Sequence, residues 1–216
     1  MCLSNKEKMS IDPVKKKEFK VSLIGDVNVG KSTLAYRLHH DRPLLESAPT
    51  IASGFYKITK GDVTFNLFDT AGAERFRSLL PLYIRNSDVI IVVYDQSKIS
   101  SLESLEPMIN RFIHEIPDVA KSDWLLVGNK CDLVQPSDFS TAKIAQELVN
   151  SFNMDHVIVS AATGDHFEDL VSALLSILRE RSKKTLDTDE NIIKLSAAQD
   201  SEKNGEPQAR KCCFLR

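Results

Sequence analysis

The chain has 216 residues, of which 42% are hydrophobic and 27% are charged, and its formal net charge is −2. This length and apolar content suffice for one domain with a full core, and the lack of a basic excess argues against nucleic acid as a partner. No apolar stretch approaches the roughly 20 residues of a transmembrane helix, and the first residues do not read as a signal peptide, so we expect the folded body in the cytosol.

Apolar runs alternate along the chain with stretches of helical spacing. The runs cover 19–24, 64–68, 88–94, 124–128 and 156–159, and the helical stretches cover 31–40, 101–114, 140–152 and 166–181. Residues 55–68 predict two strands joined in a hairpin at Lys60-Gly61-Asp62. The pattern predicts a doubly wound α/β fold with a mostly parallel six-stranded sheet and one antiparallel edge strand. We place a flexible N-terminal extension at 1–17, the folded domain at 18–181 and a polar, disordered tail at 182–216.

Residues 25–32, GDVNVGKS, follow the first apolar run and fit the phosphate-binding pattern G-x-x-x-x-G-K-[ST]. Glycine lets the backbone N–H groups of such a loop approach phosphate oxygens closely. Lys31 is predicted to reach the β and γ phosphates, and the Ser32 hydroxyl to ligate Mg²⁺. The alternative is a chance glycine-rich turn. The predicted phosphate-binding residues are Gly25, Asp26, Val27, Asn28, Val29, Gly30, Lys31, Ser32 and Thr33.

A second motif, DTAG at 69–72, follows another predicted strand. Asp69, at the carboxyl end of that strand, is placed to hold the Mg²⁺ shell through water. The small Gly72 lets its N–H approach a γ-phosphate. An ordinary exit from a strand into a turn is the alternative for this tetrapeptide.

A third motif, NKCD at 129–132, follows the apolar run at 124–128. The carboxylate of Asp132 can accept hydrogen bonds from N1 and N2 of guanine, a pair of donors that adenine lacks. Asn129 and Lys130 are predicted to brace the loop and cover the base. A later SAA segment offers a backbone N–H to the guanine O6 from Ser160, Ala161 and Ala162.

With these four elements in this order, the chain resembles the Ras-like small GTPases over residues 18–180. Residues 74–95 are similar to the Rab branch, and most similar to its Golgi-associated subgroup. The resemblance implies the P-loop small GTPase fold and hydrolysis of GTP to GDP and phosphate with Mg²⁺ as cofactor. It also implies that Thr50 completes the Mg²⁺ shell and contacts the γ-phosphate, so that loss of this phosphate releases the segment.

The C-terminal KCCFLR resembles the tails of Rabs that carry geranylgeranyl groups on both cysteines, here Cys212 and Cys213. Two lipid chains hold a protein at a membrane stably, although an Arg216 ending is atypical of a C-a-a-X box. The resemblance implies a monomer on the cytoplasmic face of an endomembrane, Golgi or vesicle, with a cytosolic pool. The implied partners are an exchange factor, an activating protein, a GDP-dissociation inhibitor or escort protein, and effectors on the switch surface.

The chain departs from this family at three positions of the chemistry. Pro43 stands where the family commonly has an aromatic residue stacked on the guanine, so we expect faster nucleotide exchange unless Leu44 packs on the ring instead. Ala73 follows DTAG where the family has a glutamine that orients the attacking water, so we expect slow intrinsic hydrolysis. Val27 stands where Ras proteins have glycine, and its branched side chain crowds the space above the γ-phosphate. The resemblance therefore gives a weakened catalytic set, composed of Lys31, Thr50 and Gly72 with Ala73 at the usual Gln position.

Three functions remain open at this stage. The leading one is a membrane-attached switch of vesicle trafficking that recruits effectors when GTP is bound. The second is a recruitment module that binds GTP but hardly hydrolyses it, which Val27 and Ala73 favour. The third, a P-loop phosphotransferase, would need a lid and an acceptor site that the sequence does not supply. Apolar side chains between the switch motifs, Phe55, Phe65 and Phe68, belong either to an effector surface or to the core.

Overall fold

The computed structural model describes residues 18–44, 54–70, 80–135 and 141–184. The strands are β1 (Glu18–Gly25), β2 (Gly54–Lys60), β3 (Val63–Asp69), β4 (Val89–Asp95), β5 (Asp123–Asn129) and β6 (Asp155–Ile158). The helices are α1 (Lys31–His40), α2 (Leu80–Ile84), α3 (Ile99–Glu103), α4 (Leu105–Glu115), α5 (Ala142–Phe152) and α6 (167–184), with short 3₁₀ turns at Pro117–Lys121 and Cys131–Leu133.

The six strands form one sheet in the order β2-β3-β1-β4-β5-β6. Only β2 and β3 run antiparallel, joined by a tight turn in which Gly61 has a φ of 60°. The remaining neighbours are parallel and are connected through helices. The predicted fold class, including the antiparallel edge strand, is confirmed.

Two hydrophobic cores lie on opposite faces of this sheet, because successive side chains of a strand point to opposite sides. Ile91 and Leu125 belong to the core beneath α1 and the first part of α6. Their neighbours Ile90 and Leu126 belong to the core beneath α3, α4 and α5. Strands buried on both faces explain the continuous apolar runs in the sequence.

The β2–β3 hairpin contributes to only one of the two cores. Phe65 is 1% exposed and lies in the core beneath α1, so its assignment to an effector surface is wrong. Phe55 and Phe68 point to the opposite face, where they lie beside Lys57 and Asn66. Phe55 is exposed and Phe68 half-buried on this face, so the effector alternative stays open for these two.

The predicted helix at 101–114 is divided in two at Ser104. Pro107 has no N–H to donate to the carbonyl of Glu103, four residues earlier, so the hydrogen-bond ladder cannot continue through this point. Proline is tolerated within the first turn of the second helix, α4.

The chain divides into two units, residues 1–178 and 179–216. In the first unit α6 buries Leu170, Leu174 and Leu178 in the core beneath α1. In the second unit the described residues, 179–184, are helical. Among the described residues, none of the helices combines the length and the apolar character that a membrane span requires.

Candidate functional site

Four neighbouring strands end at the same edge of the sheet, and three of them end at the first residue of a sequence motif. β1, β3, β4 and β5 end at Gly25, Asp69, Asp95 and Asn129. These strands are parallel, so their carboxyl ends lie at one edge of the sheet. Ligands of open α/β sheets bind in the crevice at this edge. The sheet therefore brings together the phosphate loop, Asp69 of the DTAG motif and the NKCD motif.

The two glycines of the phosphate loop have backbone conformations and surroundings that exclude a side chain. Gly25 has a φ of 145°, and a Cβ there would lie 2.2 Å from the Val93 carbonyl oxygen. Gly30 has a φ of 94°, and a Cβ there would lie 2.2 Å from Asn129 Nδ2. Both glycines are required by close packing within the protein as well as by the approach of a phosphate. The first turn of α1, which starts at Lys31 without a side-chain cap, directs its amides toward this loop.

Lys31 lies inside the phosphate loop and is only 5% exposed. Its ammonium donates hydrogen bonds to the carbonyl oxygens of Gly25, at 3.1 Å, and Asp26, at 2.6 Å. Burial lowers the pKa of Lys31 to about 8, against the opposite effect of the carboxylates of Asp69 and Asp26. An ammonium held by two neutral carbonyls gains energy from an anionic partner, as the predicted phosphate role requires.

Asp69 and Ser32 supply oxygen ligands beside this ammonium. Asp69 is 2% exposed, and its Oδ1 is buried with no hydrogen-bond partner among the described residues. Burial raises the pKa of Asp69, while a hydrogen bond from Ser32 and the charge of Lys31 lower it. A carboxylate with an unpaired oxygen beside a hydroxyl fits Mg²⁺, which takes few protein ligands and keeps several waters. In the described parts of the chain no three His, Cys, Asp or Glu side chains form a metal cage.

Asn129 connects the phosphate loop to the loop after β6. Its side chain is 2% exposed. Its Nδ2 donates to the Val29 carbonyl at 2.8 Å, and its Oδ1 accepts the Ala161 N–H at 3.0 Å. These two hydrogen bonds connect the loops, and the contact of Asn129 with a base stays a prediction. The buried amide holds the predicted phosphate-binding and base-binding segments at a fixed separation.

Lys130 makes a second connection to the phosphate loop. It has a φ of 67°, and its ammonium donates to the Asn28 carbonyl at 2.6 Å and to Asp95 Oδ2 at 2.7 Å. Burial alone would raise the pKa of Asp95, but hydrogen bonds from Lys130 and Ser97 outweigh it and lower this pKa. Asp95 was not among the predicted site residues. Its position at the end of a buried strand was the available signal.

The remaining predicted base contacts lie at the mouth of the crevice. Asp132 is exposed in the 3₁₀ turn that follows Lys130. The Cys131 N–H donates to the Val159 carbonyl at 3.2 Å, which fixes this turn against the end of β6. Ser160 is fully buried, and its Oγ accepts the Thr163 N–H at 3.0 Å. The turn with Asp132 and the loop at 160–162 are therefore neighbours.

Val27 is 42% exposed, so its side chain lies on the surface of the phosphate loop. The other residues on which the hydrolysis and lipidation predictions depend lie outside the described residues. They are Thr50, Gly72, Ala73, Cys212 and Cys213.

Comparison with known proteins agrees with this geometry. The Ras family model matches residues 20–180. The chain is 33% identical to the Ras-related protein YPTC6 of Chlamydomonas reinhardtii, over 84% of this chain and 85% of the relative. It is 32% identical to the human Ras-related protein Rab-31, over 91% and 98% respectively, and 34% identical to Rab-5B of Plasmodium falciparum, over 77% and 81%. The chain therefore belongs to the Ras family and is a small GTPase of the Rab branch, which acts in vesicle trafficking.

Proposed function

We propose that this chain binds GDP and GTP with Mg²⁺ in the crevice at the carboxyl ends of β1, β3, β4 and β5, and that it hydrolyses GTP slowly. The observation that carries the proposal is the buried Asn129 amide, which joins the Val29 carbonyl to the Ala161 N–H. This amide connects the phosphate loop to the loop after β6, whose backbone amides can donate to the edge of a purine base. Asp132 beside that loop supplies the carboxylate that selects guanine over adenine.

The chain's own groups serve the phosphates of a bound nucleotide. The Lys31 ammonium exchanges the carbonyls of Gly25 and Asp26 for phosphate oxygens and neutralises charge that develops during attack of water on the γ-phosphate. Ser32 and Thr50 are the proposed direct ligands of Mg²⁺, and Asp69 holds it through water. When bound, Mg²⁺ neutralises the charge of the β and γ phosphate oxygens.

Slow hydrolysis follows in this proposal from Ala73 and Val27. Alanine has no group that could orient the attacking water. Val27 is 42% exposed on the phosphate loop, and we propose that its branched side chain crowds an arginine that a partner inserts toward the γ-phosphate. An arginine that an activating protein inserts into the site raises the rate of hydrolysis about 10³–10⁵-fold. An activating protein that also supplies a glutamine can therefore restore turnover, provided that the Val27 side chain leaves room for the arginine.

Single-turnover hydrolysis of GTP tests this proposal, with the purified chain alone and with a Rab-directed activating domain. The variants Ala73→Gln and Val27→Ser are the matched comparisons. We expect the wild-type chain to be nearly inert alone and Ala73→Gln to be faster. Fast unaided hydrolysis by the wild-type chain would refute the roles given to Ala73 and Val27, and failure to bind GTP would refute the site.

The alternative function, a recruitment module that holds GTP, gives a different result in the same experiment. It predicts that the wild-type chain stays inert with the activating domain and that only the variants respond. The exposed Val27 is the observation that favours it. In that case nucleotide exchange, rather than hydrolysis, would set the fraction of the protein that binds effectors.

We place the nucleotide domain at 18–181, between an N-terminal extension at 1–17 and a tail at 182–216.

Geranylgeranyl groups on Cys212 and Cys213 attach the protein to the cytoplasmic face of an endomembrane of the Golgi or vesicles, because two lipid chains bind stably. A GDP-dissociation inhibitor or escort protein keeps a monomeric cytosolic pool. Liposome flotation after enzymatic geranylgeranylation tests this attachment, and we expect a variant with serine at both positions to stay in the soluble fraction.

Effectors are proposed to dock on the outer face of the β2–β3 hairpin. Phe55 is 59% exposed there, and its ring centroid lies 5.3 Å from that of Phe68 in an edge-to-face arrangement. The Lys20 ammonium lies 4.9 Å from the Phe68 centroid. Exposed aromatic rings beside a cation form the type of surface that contributes most to protein interfaces. We expect Phe55→Ala to weaken effector capture while GDP affinity stays unchanged.

A further inference from the structure

Arg37 reaches from the phosphate-binding helix to the loop after β6. It lies in α1, six residues after Lys31. Its Nε donates to the Ala161 carbonyl at 2.7 Å, and its Nη2 donates to the Ala162 carbonyl at 2.8 Å. The planar guanidinium thus holds two successive carbonyls with its fixed donor geometry, which a lysine cannot reproduce.

The loop is shaped around this guanidinium. Gly164 has a φ of 99°, and a Cβ there would lie 2.5 Å from Arg37 Nη1. The Phe167 ring lies on another side, with its centroid 5.6 Å from Arg37 Cζ. A glycine that makes room and an aromatic ring that contacts the cation show that Arg37 is held in a defined place rather than resting on the surface.

Peptide geometry connects these contacts to the direction of one amide. In a planar trans peptide the C=O and the following N–H point to opposite sides. Arg37 holds the Ala161 carbonyl, and it therefore directs the Ala162 N–H away from α1. Asn129 Oδ1 meanwhile holds the preceding amide, the Ala161 N–H, at 3.0 Å. Two side chains from different elements thus fix the orientation of both amides.

We propose that Arg37 is a positioning residue for guanine recognition, which orients the Ala162 N–H toward the O6 of the base. This inference rests on the proposed guanine-nucleotide site. Because Arg37 belongs to the same helix as Lys31, it also ties the base contact to the phosphate-binding segment. The residue contacts no nucleotide atom in this proposal and acts through the loop.

The test compares nucleotides that differ at single positions of the base. In 6-thio-GDP a weakly accepting sulfur replaces O6, and IDP lacks the N2 amino group. The ratio of the 6-thio-GDP and GDP dissociation constants reports the O6 contact, and the ratio for IDP reports the contact with Asp132. Arg111→Ala is the matched control, because Arg111 also lies beside an aromatic ring, 5.8 Å from the Phe112 centroid, but its ion pair is with Glu115 of its own helix.

We expect the wild-type chain to bind 6-thio-GDP about 5- to 10-fold more weakly than GDP, which is the loss of affinity expected when one hydrogen bond is weakened. In Arg37→Ala this ratio falls to within about twofold of 1, and GDP affinity falls about tenfold. The ratio for IDP stays at its wild-type value. Arg37→Lys, which keeps the charge and can bond one carbonyl, gives an intermediate ratio and serves if the alanine variant does not fold. Arg111→Ala changes neither ratio.

Two outcomes would overturn the assignment of Arg37 alone. The first is an unchanged 6-thio-GDP ratio in Arg37→Ala and Arg37→Lys. The second is an equal loss of affinity for all three nucleotides, which indicates a merely structural role. Both ratios are measured within one variant, so a lower folded fraction does not alter them. A wild-type chain that shows no preference for GDP over ADP would instead refute the guanine site, and this inference with it.

Discussion

Replacement of Asn129 by alanine should weaken guanine-nucleotide binding far more than a surface substitution of the same kind. The change leaves the Val29 carbonyl and the Ala161 N–H without their partners at 2.8 and 3.0 Å. Each buried group that loses its partner costs about 1–3 kcal/mol, so the pair costs about 2–6 kcal/mol. Water can satisfy both groups while the crevice is open, but not when nucleotide fills it. We therefore expect the affinity for GDP to fall at least about 30-fold and at most about 20,000-fold.

Titration with a fluorescent GDP analogue measures this loss. Asn129→Asp is the most informative second variant, because it keeps the acceptor for Ala161 but places a carboxylate against the Val29 carbonyl, and we expect it to bind no better than the alanine variant. Asn66→Ala is the control, since its amide donates to Glu18 on the outer face of the sheet. GDP affinity within threefold of wild type in Asn129→Ala would refute the bridging role.

Three further predictions concern stability. Burial lowers the pKa of His156 below its ordinary value of 6.5. As the pH falls, the imidazole is therefore protonated in the unfolded chain before it is protonated in the folded chain. The stability that the folded chain has above pH 6.5 is lost in the process. We expect a loss of at most about 1.4 kcal/mol between pH 7.5 and 5.5, and a flatter profile of melting temperature in His156→Phe. In Gly128→Ala the new Cβ would lie 2.6 Å from Tyr94 Oη, and urea unfolding should show a loss of about 1–3 kcal/mol. An unchanged midpoint would contradict this close packing. Lys130→Met leaves the buried carboxylate of Asp95 without its ion pair, at a cost of about 1–3 kcal/mol for a partly exposed pair. Further substitution of Asp95 by Asn should recover part of this loss, and no recovery would mean that the unpaired carboxylate is not its source.

The residues proposed to contact the nucleotide were predictable from local patterns. Gly25, Gly30 and Lys31 follow a strand at fixed spacing, and the apolar runs give the parallel strands that bring the motifs to one edge. The division of the long helix at Ser104 was not predicted, although Pro107, which lies where an N–H is needed, was a local signal for it. The spacing of the motifs and the apolar runs therefore predicted most of the fold and most of the residues of the candidate site.

The residues that hold the loops in place could not be predicted in the same way. Asp95 pairs with a residue 35 positions away, and Arg37 bonds a carbonyl 124 positions away. Neither belongs to a local pattern, because its partner is defined only by the folded chain. Phe65 and Phe68 show a different limit. Alternation places them on opposite faces of β3, but only the packing of α1 shows which face is covered.

The long sequence separations within the crevice also bear on how the protein is made. Asn129 is joined to a carbonyl 100 residues earlier in the chain, and Arg37 to one 124 residues later. A ribosome completes the phosphate loop long before it synthesises the segment around Ala161. During that interval the loop lacks its hydrogen bonds from Asn129 and Lys130, and contacts between distant segments form slowly. With the proposed site, capture of nucleotide by a nascent chain is therefore a late event, which marks the completion of the fold up to β6 and the loop after it.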